Sequence, residues 1–481
     1  MAVLFFTLAI CVALVACDLT VYPHPQGLKA SDKFSIYVSQ GGTKERSFTY
    51  ISTSDSRVQY SGKLLKIEPG RSVSWTSFSF SGAAVTVEVH TQKDFRNCLI
   101  RPKSYGFKCR RAGNKVAMFT VTTNTKLMSV EFDYDYGSNQ ADIKDKLLVF
   151  ADPPETSIPS RHDTSVLYYD VGMHNLHGQK VLDGHIKEVY LAPGAYVQGG
   201  FRTAGNQGVK VHGRGVLSGA MYKFHDPDFQ WALVNMKKGD HHTLEGITVV
   251  DPEEYYYVSS GNSNVVRNVK FVAGWTINSD GFDVGEDGLI EDSFVMANDD
   301  SIKLFHAGLI IKRIVVWQMQ FGAIFQMGWW TARKVHGISV SDVDIIHMDW
   351  CAYKGDNCHL QPNAAVFTVS GHTHEFEVDD IILKDIRIEG ECPRLVEWKL
   401  YKGAVGKVSN LRFENINVES VSRSMHNDIA GTVGAHVQTW DFVNLRYGGH
   451  CISDADAGHF SVDTHTTNRI RFACGTGHII G

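Results

Sequence analysis

From residue 188 onward the chain repeats a short motif. Cores of β-branched and aromatic residues edged by Gly or Asn occur as EVYLAPGAYVQGGF (188–201), GVKVHGRGVLSG (208–219), HHTLEGITVVDP (241–252), NVVRNVKFVAG (264–274) and GLIEDSFVMAN (288–298). They continue as GLIIKRIVVWQ (308–318), VHGISVSDVDII (335–346), DDIILKDIRIEG (379–390), VSNLRFENINVES (408–420) and QTWDFVNLRYGG (438–449). The recurrence, roughly 20–30 residues, is too short for strand–helix–strand units, and no helical periodicity intervenes. A parallel β-helix accounts for it: each coil supplies two or three strands, stacked about 4.8 Å apart, with apolar residues inward and polar ones outward. A β-propeller is the alternative, disfavoured because hairpin turn signals do not recur inside each unit.

The chain before this region has another texture. SFTYISTS, RSVSWTSFSFSG, AAVTVEVHT, KVAMFTVTT and KLMSVEFDYDY alternate with period two between turn residues, which predicts a β-sandwich or barrel. Pro153, Pro154 and Pro159 mark a boundary. The expected fold is therefore all-β, an N-terminal β-sandwich over 18–152 followed by a parallel β-helix (solenoid) over 164–481. A length of 481 residues suits two bodies better than one core. With 43% hydrophobic and 21% charged residues the chain is not disordered. A net charge of -5 without a basic stripe argues against a nucleic-acid partner.

Residues 1–17, MAVLFFTLAICVALVAC, have the length of a signal h-region and end in small residues. They predict a signal peptide and a secreted protein. Leu14-Val15-Ala16-Cys17 also fits a lipoprotein box, which makes a lipid anchor through Cys17 the alternative. No later stretch has the length and apolarity of a membrane span. Seven cysteines follow the leader, and their spacing invites the local pairs Cys98–Cys109, Cys351–Cys358 and Cys451–Cys474, with Cys392 left over. There is no CxxC pair, and Lys237-Lys238-Gly239-Asp240-His241-His242 lacks ligand spacing, so no metal or other cofactor is expected. No Asn-x-Ser/Thr acceptor occurs.

Three carboxylates stand out within 275–330: Asp280 in Asn278-Ser279-Asp280-Gly281, and the pair Asp299 and Asp300 in Asn298-Asp299-Asp300-Ser301. Asp280 precedes Asp299 by 19 residues, close to one coil, so the two are expected on neighbouring coils of one face. Successive residues of a strand point to opposite sides, so Asp299 and Asp300 share a cleft only if the backbone bends there. Crowded carboxylates cannot all ionise normally: one keeps its proton as a general acid while the others activate water. Inverting glycosidases divide labour in this way, with acid and base about 6.5–9.5 Å apart. The residues alone leave two other readings open, plain turn chemistry and calcium ligation.

Around these acids, Lys303, Gln326, Trp329, Trp350 and Tyr256 are the expected substrate-binding residues. Tyr255, Tyr257 and Trp330 are further aromatic candidates, because flat rings suit the apolar faces of sugars. Core packing is the competing role for each. His347 reads as structural. The irregular stretch 350–377 is expected to be a loop that shapes the cleft.

Asn298-Asp299-Asp300-x-Ile302-Lys303, the Trp317 strand, Gln326-Met327-Gly328-Trp329 and Ile346-His347 form one set of features. Ser279-Asp280-Gly281 lies upstream of it and Glu391-Cys392-Pro393-Arg394-Leu395 downstream. Together they resemble glycoside hydrolase family 49, the dextranase and isopullulanase family, strongly over 240–400 and more loosely elsewhere. The resemblance implies a right-handed parallel β-helix and an inverting endo-glycoside hydrolase. Asp299 would be its general acid, and Asp280 and Asp300 would hold and activate the water. A dextran-like α-1,6-glucan is the implied polysaccharide, with pullulan or another polysaccharide as the alternative. A reading from another class is a non-catalytic glycan-binding β-helix. The polygalacturonases are distantly similar, but Phe305-His306-Ala307-Gly308 does not reproduce their Gly-His-Gly segment.

Overall fold

The computed structural model describes residues 18–54, 70–134, 143–329, 334–351 (backbone only at 351), 360, 362–370 and 374–475. The leader 1–17, the expected Cys351–Cys358 bridge, Trp330 and much of the loop 350–377 lie outside the described residues.

From Val166 to Ala473 the strands form one continuous array in which each coil pairs in parallel with the next. This is the parallel β-helix that the recurrence predicted. One column of register partners runs along its interior: Val189, Val211, Leu244, Val266, Ile290, Ile311, Val340, Leu383, Phe413, Phe442 and Phe472. At its C-terminal end the phenylalanines stack almost face to face, with centroids 4.7 Å and 4.8 Å apart. That is the distance between hydrogen-bonded strands, so ring stacking and backbone pairing are satisfied by the same rise.

The recurrent Asn and Asp residues make the corners. Asn268, Asp292, Arg313, Asp342, Asp385, Asn415 and Asn444 hold equivalent positions in successive coils, each with φ between 50° and 56°. Asn and Asp tolerate this left-handed conformation best among residues with a side chain. Here they also hydrogen-bond one another along the stack, as in Asn415 to Asp385 at 2.9 Å and Asn444 to Asn415 at 3.1 Å.

The N-terminal residues make two facing sheets. One runs Asp18–Val21, Ser72–Ser81, Asp145–Asp152, Lys126–Phe132, Cys98–Arg101, with Tyr50–Thr53 also on Ser72–Ser81. The other runs Thr43–Ser47, Phe34–Gln40, Val85–Thr91, Val116–Val121, Arg110–Gly113. Ser72–Ser81 and Asp145–Asp152 are buried along nearly their whole length, because their sheet has the second sheet on one face and the solenoid on the other. At the solenoid face, Trp75 stacks on Tyr50, Tyr50 on Tyr196, and Phe150 meets Phe294.

Charged groups are buried in this interface too. Arg101 bridges Glu131 at 3.1 Å and the solenoid's Glu389 at 2.6 Å, and Lys270 reaches Asp152 at 2.9 Å. His347 places Nε2 2.6 Å from Glu131. Burial opposes the charge of Glu131, but His347 and Arg101 overcome it and hold the carboxyl down at about 2. Cys98–Cys109 and Cys451–Cys474 are disulfides, as the spacing suggested, and Cys392 is a buried free thiol. No helix among the described residues is long and apolar enough to cross a membrane.

Removing one partner of a buried ion pair strands the other charge, which costs about 3–5 kcal/mol, whereas an exposed pair is worth about 0–1 kcal/mol. Arg101→Ala should therefore lower the denaturation midpoint clearly. Lys44→Ala, which breaks the exposed pair with Glu88, should leave it nearly unchanged. Equal midpoints for the two variants would rule out the buried bridge as an anchor.

Candidate active site

Phe282 pairs with Ile302, and Ile302 with Phe325. Two residues upstream of each, this register aligns Asp280, Asp300 and Ala323. Backbone bonds from Gly281 N to Asp300 O and from Ser301 N to Ala323 O hold that alignment, at 2.9 Å and 2.8 Å. Asp280 is thus the stacking partner of Asp300, and Asp299 stands one residue before it on the turn that leaves Leu289–Ala297. All three are at least 95% buried, with one oxygen of each within 4.8 Å of the others. This is closer than the expected separation for acid and base, because stacked coils set carboxylates one β-spacing apart.

Two glycines make the arrangement possible. A Cβ on Gly322, whose φ is +78°, would lie 2.2 Å from the carbonyl carbon of Asp299 and 2.5 Å from Asp300 N. A Cβ on Gly281 would lie 2.2 Å from Ser301 O. The Asp-Gly pair is therefore a close approach between coils and not a surface turn. Gln318 donates to Asp299 O at 2.9 Å and to Phe321 O at 2.5 Å, and accepts from Ser301 at 2.6 Å, which locks the bend that Asp299 and Asp300 need.

Lys303 supplies the positive charge. Its Nζ is 2.6 Å from Asp280 and 3.3 Å from Asp300. Burial opposes that charge, and Asp280 and Asp300 overcome it and hold the ammonium well above the ordinary lysine range. Asp300 also accepts from Ala323 N at 3.0 Å, from Trp329 Nε1 at 3.3 Å and from Asn363 at 3.4 Å. Asp299 accepts from Asn278 N and from Asp300 N. Burial, then the charges of Asp280 and Asp300, push its carboxyl far above the ordinary aspartate range. Burial pushes Asp280 up to about 7 against the pull of Lys303, and its Oδ1 has no hydrogen-bond partner among the described residues. The three aspartates have the spacing to share a cation. The Lys303 ammonium, in contact with two of them, brings one positive charge to the same place.

The other expected binding residues divide. Lys303 and Trp329 touch the carboxylates. Gln326 lies one coil beyond Lys303 and is fully buried. Tyr256 is a correction: its ring stacks on Phe271 inside the solenoid and its hydroxyl donates to Met296 O, so no sugar can reach it. Its neighbour Tyr255 takes the exposed side, with its ring 5.0 Å from Lys303 Nζ. Trp350 is also a correction. It is 1% exposed and donates to Gly322 O at 2.9 Å, bracing the glycine that backs Asp299 and Asp300. Gly322, Gln318 and Asn363 were not singled out from the sequence. Only the Gly at 322, three residues before the strand Phe325–Gly328, carried a local signal.

Residues 21–153 match the family model of the glycosyl hydrolase family 49 N-terminal Ig-like domain. A dextranase of Arthrobacter globiformis is 24% identical over 487 residues, covering 82% of this chain and 75% of that protein. An isopullulanase of Aspergillus niger is 26% identical, covering 72% of this chain and 71% of that protein. Among solved structures, Dex49A from Penicillium minioluteum superposes with a TM-score of 0.70 at 19% identity, covering 93% of this chain and 95% of that one.

Two measurements test this geometry. Gly322→Ala should displace the Asp299–Asp300 peptide and lower turnover about 100-fold or more, with strand content by circular dichroism unchanged; wild-type turnover would contradict the close approach. Glu253, near Tyr255 in the chain, is buried, and neither carboxyl oxygen has a partner among the described residues. Burial, then Glu254 and Asp226, raise it to about 8 from an ordinary 4.5. The folded state therefore keeps a proton that the unfolded chain releases, and stability falls as pH rises between those values. Glu253→Gln should thus gain on wild type as pH rises from 5 to 8, by about 2–4 °C in Tm. A gap independent of pH would place the carboxyl in water.

Proposed function

We propose that the chain is a hydrolase of glycoside hydrolase family 49, as its matched N-terminal domain and its dextranase and isopullulanase relatives support, and that it cuts internal bonds of a dextran-like α-1,6-glucan with inversion at the anomeric carbon. Asp299 donates its proton to the glycosidic oxygen as the bond to the anomeric carbon breaks. A water held by Asp280 and Asp300 attacks from the opposite face, and one of these carboxylates takes the water's proton. Lys303 offsets the negative charge of that pair throughout.

The observation that carries this division is the environment of Asp299. Its buried carboxyl faces two further acids that share one ammonium, which pushes it far above the ordinary aspartate range and supports its role as the proton donor. The unpartnered Oδ1 of Asp280 supports the second half, as an acceptor available to a water proton. Inversion rests on the family, since the tight separation is set by the β-spacing. Pullulan is the alternative glucan, as an isopullulanase is among the relatives. The apolar leader supports export, and the polysaccharide is the only partner the reading requires.

The test is reducing-end release from dextran, pullulan and acidic polysaccharides, with Asp299→Asn alongside and the first-formed anomer followed by NMR. Dextran should be cut internally and yield the β-anomer first, and Asp299→Asn should lose about 10²–10⁴-fold in kcat with an unchanged melting temperature. Equal rates would remove Asp299 from the acid role, and an α-anomer would overturn inversion. Binding of every glucan without cleavage would favour a non-catalytic glycan-binding protein.

A further inference from the structure

Trp231 is an exposed tryptophan, with 53% of its surface accessible. It holds φ +67°, a left-handed conformation that is uncommon for a bulky side chain. Ala232 pairs with Tyr255, and Tyr257 with Phe282. By the same count that aligns Asp280 with Asp300, Ala232 and Tyr255 belong to their column. Trp231 therefore occupies, three coils nearer the N-terminus, the place in its coil that Asp299 occupies. At one strand spacing per coil this is about 14 Å along the axis.

Contacts join the two places. Lys303 touches Asp280 and lies over the Tyr255 ring, and Tyr255 meets Trp231 edge to face at 6.4 Å with planes 71° apart. Lys237 sits over the Trp231 ring at 4.7 Å from its centroid, which holds the indole in one orientation. An aromatic plane thus stands on the same face as the acids, joined to them through Tyr255.

We propose that Trp231 is a stacking platform for a sugar residue of the bound glucan remote from the scissile bond, on the N-terminal side of the aspartates. This inference rests on the glucan reading above and adds the direction of the chain, which runs along the solenoid axis. An indole face packs against the C–H face of a pyranose and supplies no group that exchanges a proton at the scissile bond. The platform therefore contributes to binding of long chains and not to bond breaking.

The test compares wild type, Trp231→Ala and Trp231→Phe on the glucan that wild type cleaves best, as polymer and as end-labelled oligosaccharides of rising length. Trp231→Ala should raise KM for the polymer about three- to tenfold, leave kcat within twofold, shift the preferred cleavage position on long oligosaccharides and leave the shortest cleaved one unaffected. Trp231→Phe should restore most of the affinity. An unchanged KM and cleavage pattern in Trp231→Ala, or a loss in kcat alone, overturns the platform and leaves the hydrolase reading standing. If wild type hydrolyses no glucan, that reading fails by itself. Affinity electrophoresis in the same polymers then decides the platform: retardation lost in Trp231→Ala supports it, and equal retardation, or none in wild type, overturns it.

Discussion

Coil-on-coil hydrogen bonding at a single spacing is the constraint on which the rest of this structure depends. Interior ladders, Asn and Asp corners and stacked phenylalanines all repeat at that rise. It also sets the chemistry. Once Phe282 pairs with Ile302, Asp280 and Asp300 must stack, and the turn before Ile302 brings Asp299 beside them. A loop-built site would let three carboxylates relax apart, whereas the ladder does not.

Holding them together in a buried place has an electrostatic cost, which Lys303 offsets at Asp280 and Asp300 and which pushes the Asp299 carboxyl far above the ordinary aspartate range. On the proposed mechanism Asp299 is the acid, so the same repulsion that disfavours the cluster prepares it. Supporting residues act on the backbone more than on the acids. Gly322 admits the Asp299–Asp300 peptide, Trp350 ties Gly322, and Gln318 fastens the bend.

The sandwich is part of this support. Phe294 and Met296, on the strand that leads into Asn298-Asp299-Asp300, and Ala273 and Trp275, shortly before Asp280, pack in the apolar interface with it. Trp275 also donates to Ser52 of the sandwich at 2.8 Å. Both chain segments that deliver the aspartates are therefore clamped from outside the solenoid by apolar contact, and the buried Arg101 and Lys270 bridges fasten the sandwich to the solenoid.

Much of this is written locally. The recurrence of apolar cores specifies stacked coils because a strand's inward face must be apolar wherever it pairs. The three acids are legible because so many carboxyls seldom cluster beside short strands, and two of the disulfides follow from short separations. What the sequence did not yield depends on contacts between coils 20 or more residues apart. Asp280 aligns with Asp300 because turn lengths set the register. Tyr255, and not Tyr256, faces the acids because that register decides which side of the strand is inside. Gly322 and Trp231 acquire their significance only from what the adjacent coils bring against them. The sequence by itself determined the repeat and the chemical groups, since both arise from side-chain type and local period. The tertiary structure decided which groups meet, and which carboxyls are pushed above their ordinary range, since register and burial exist only when the coils are stacked.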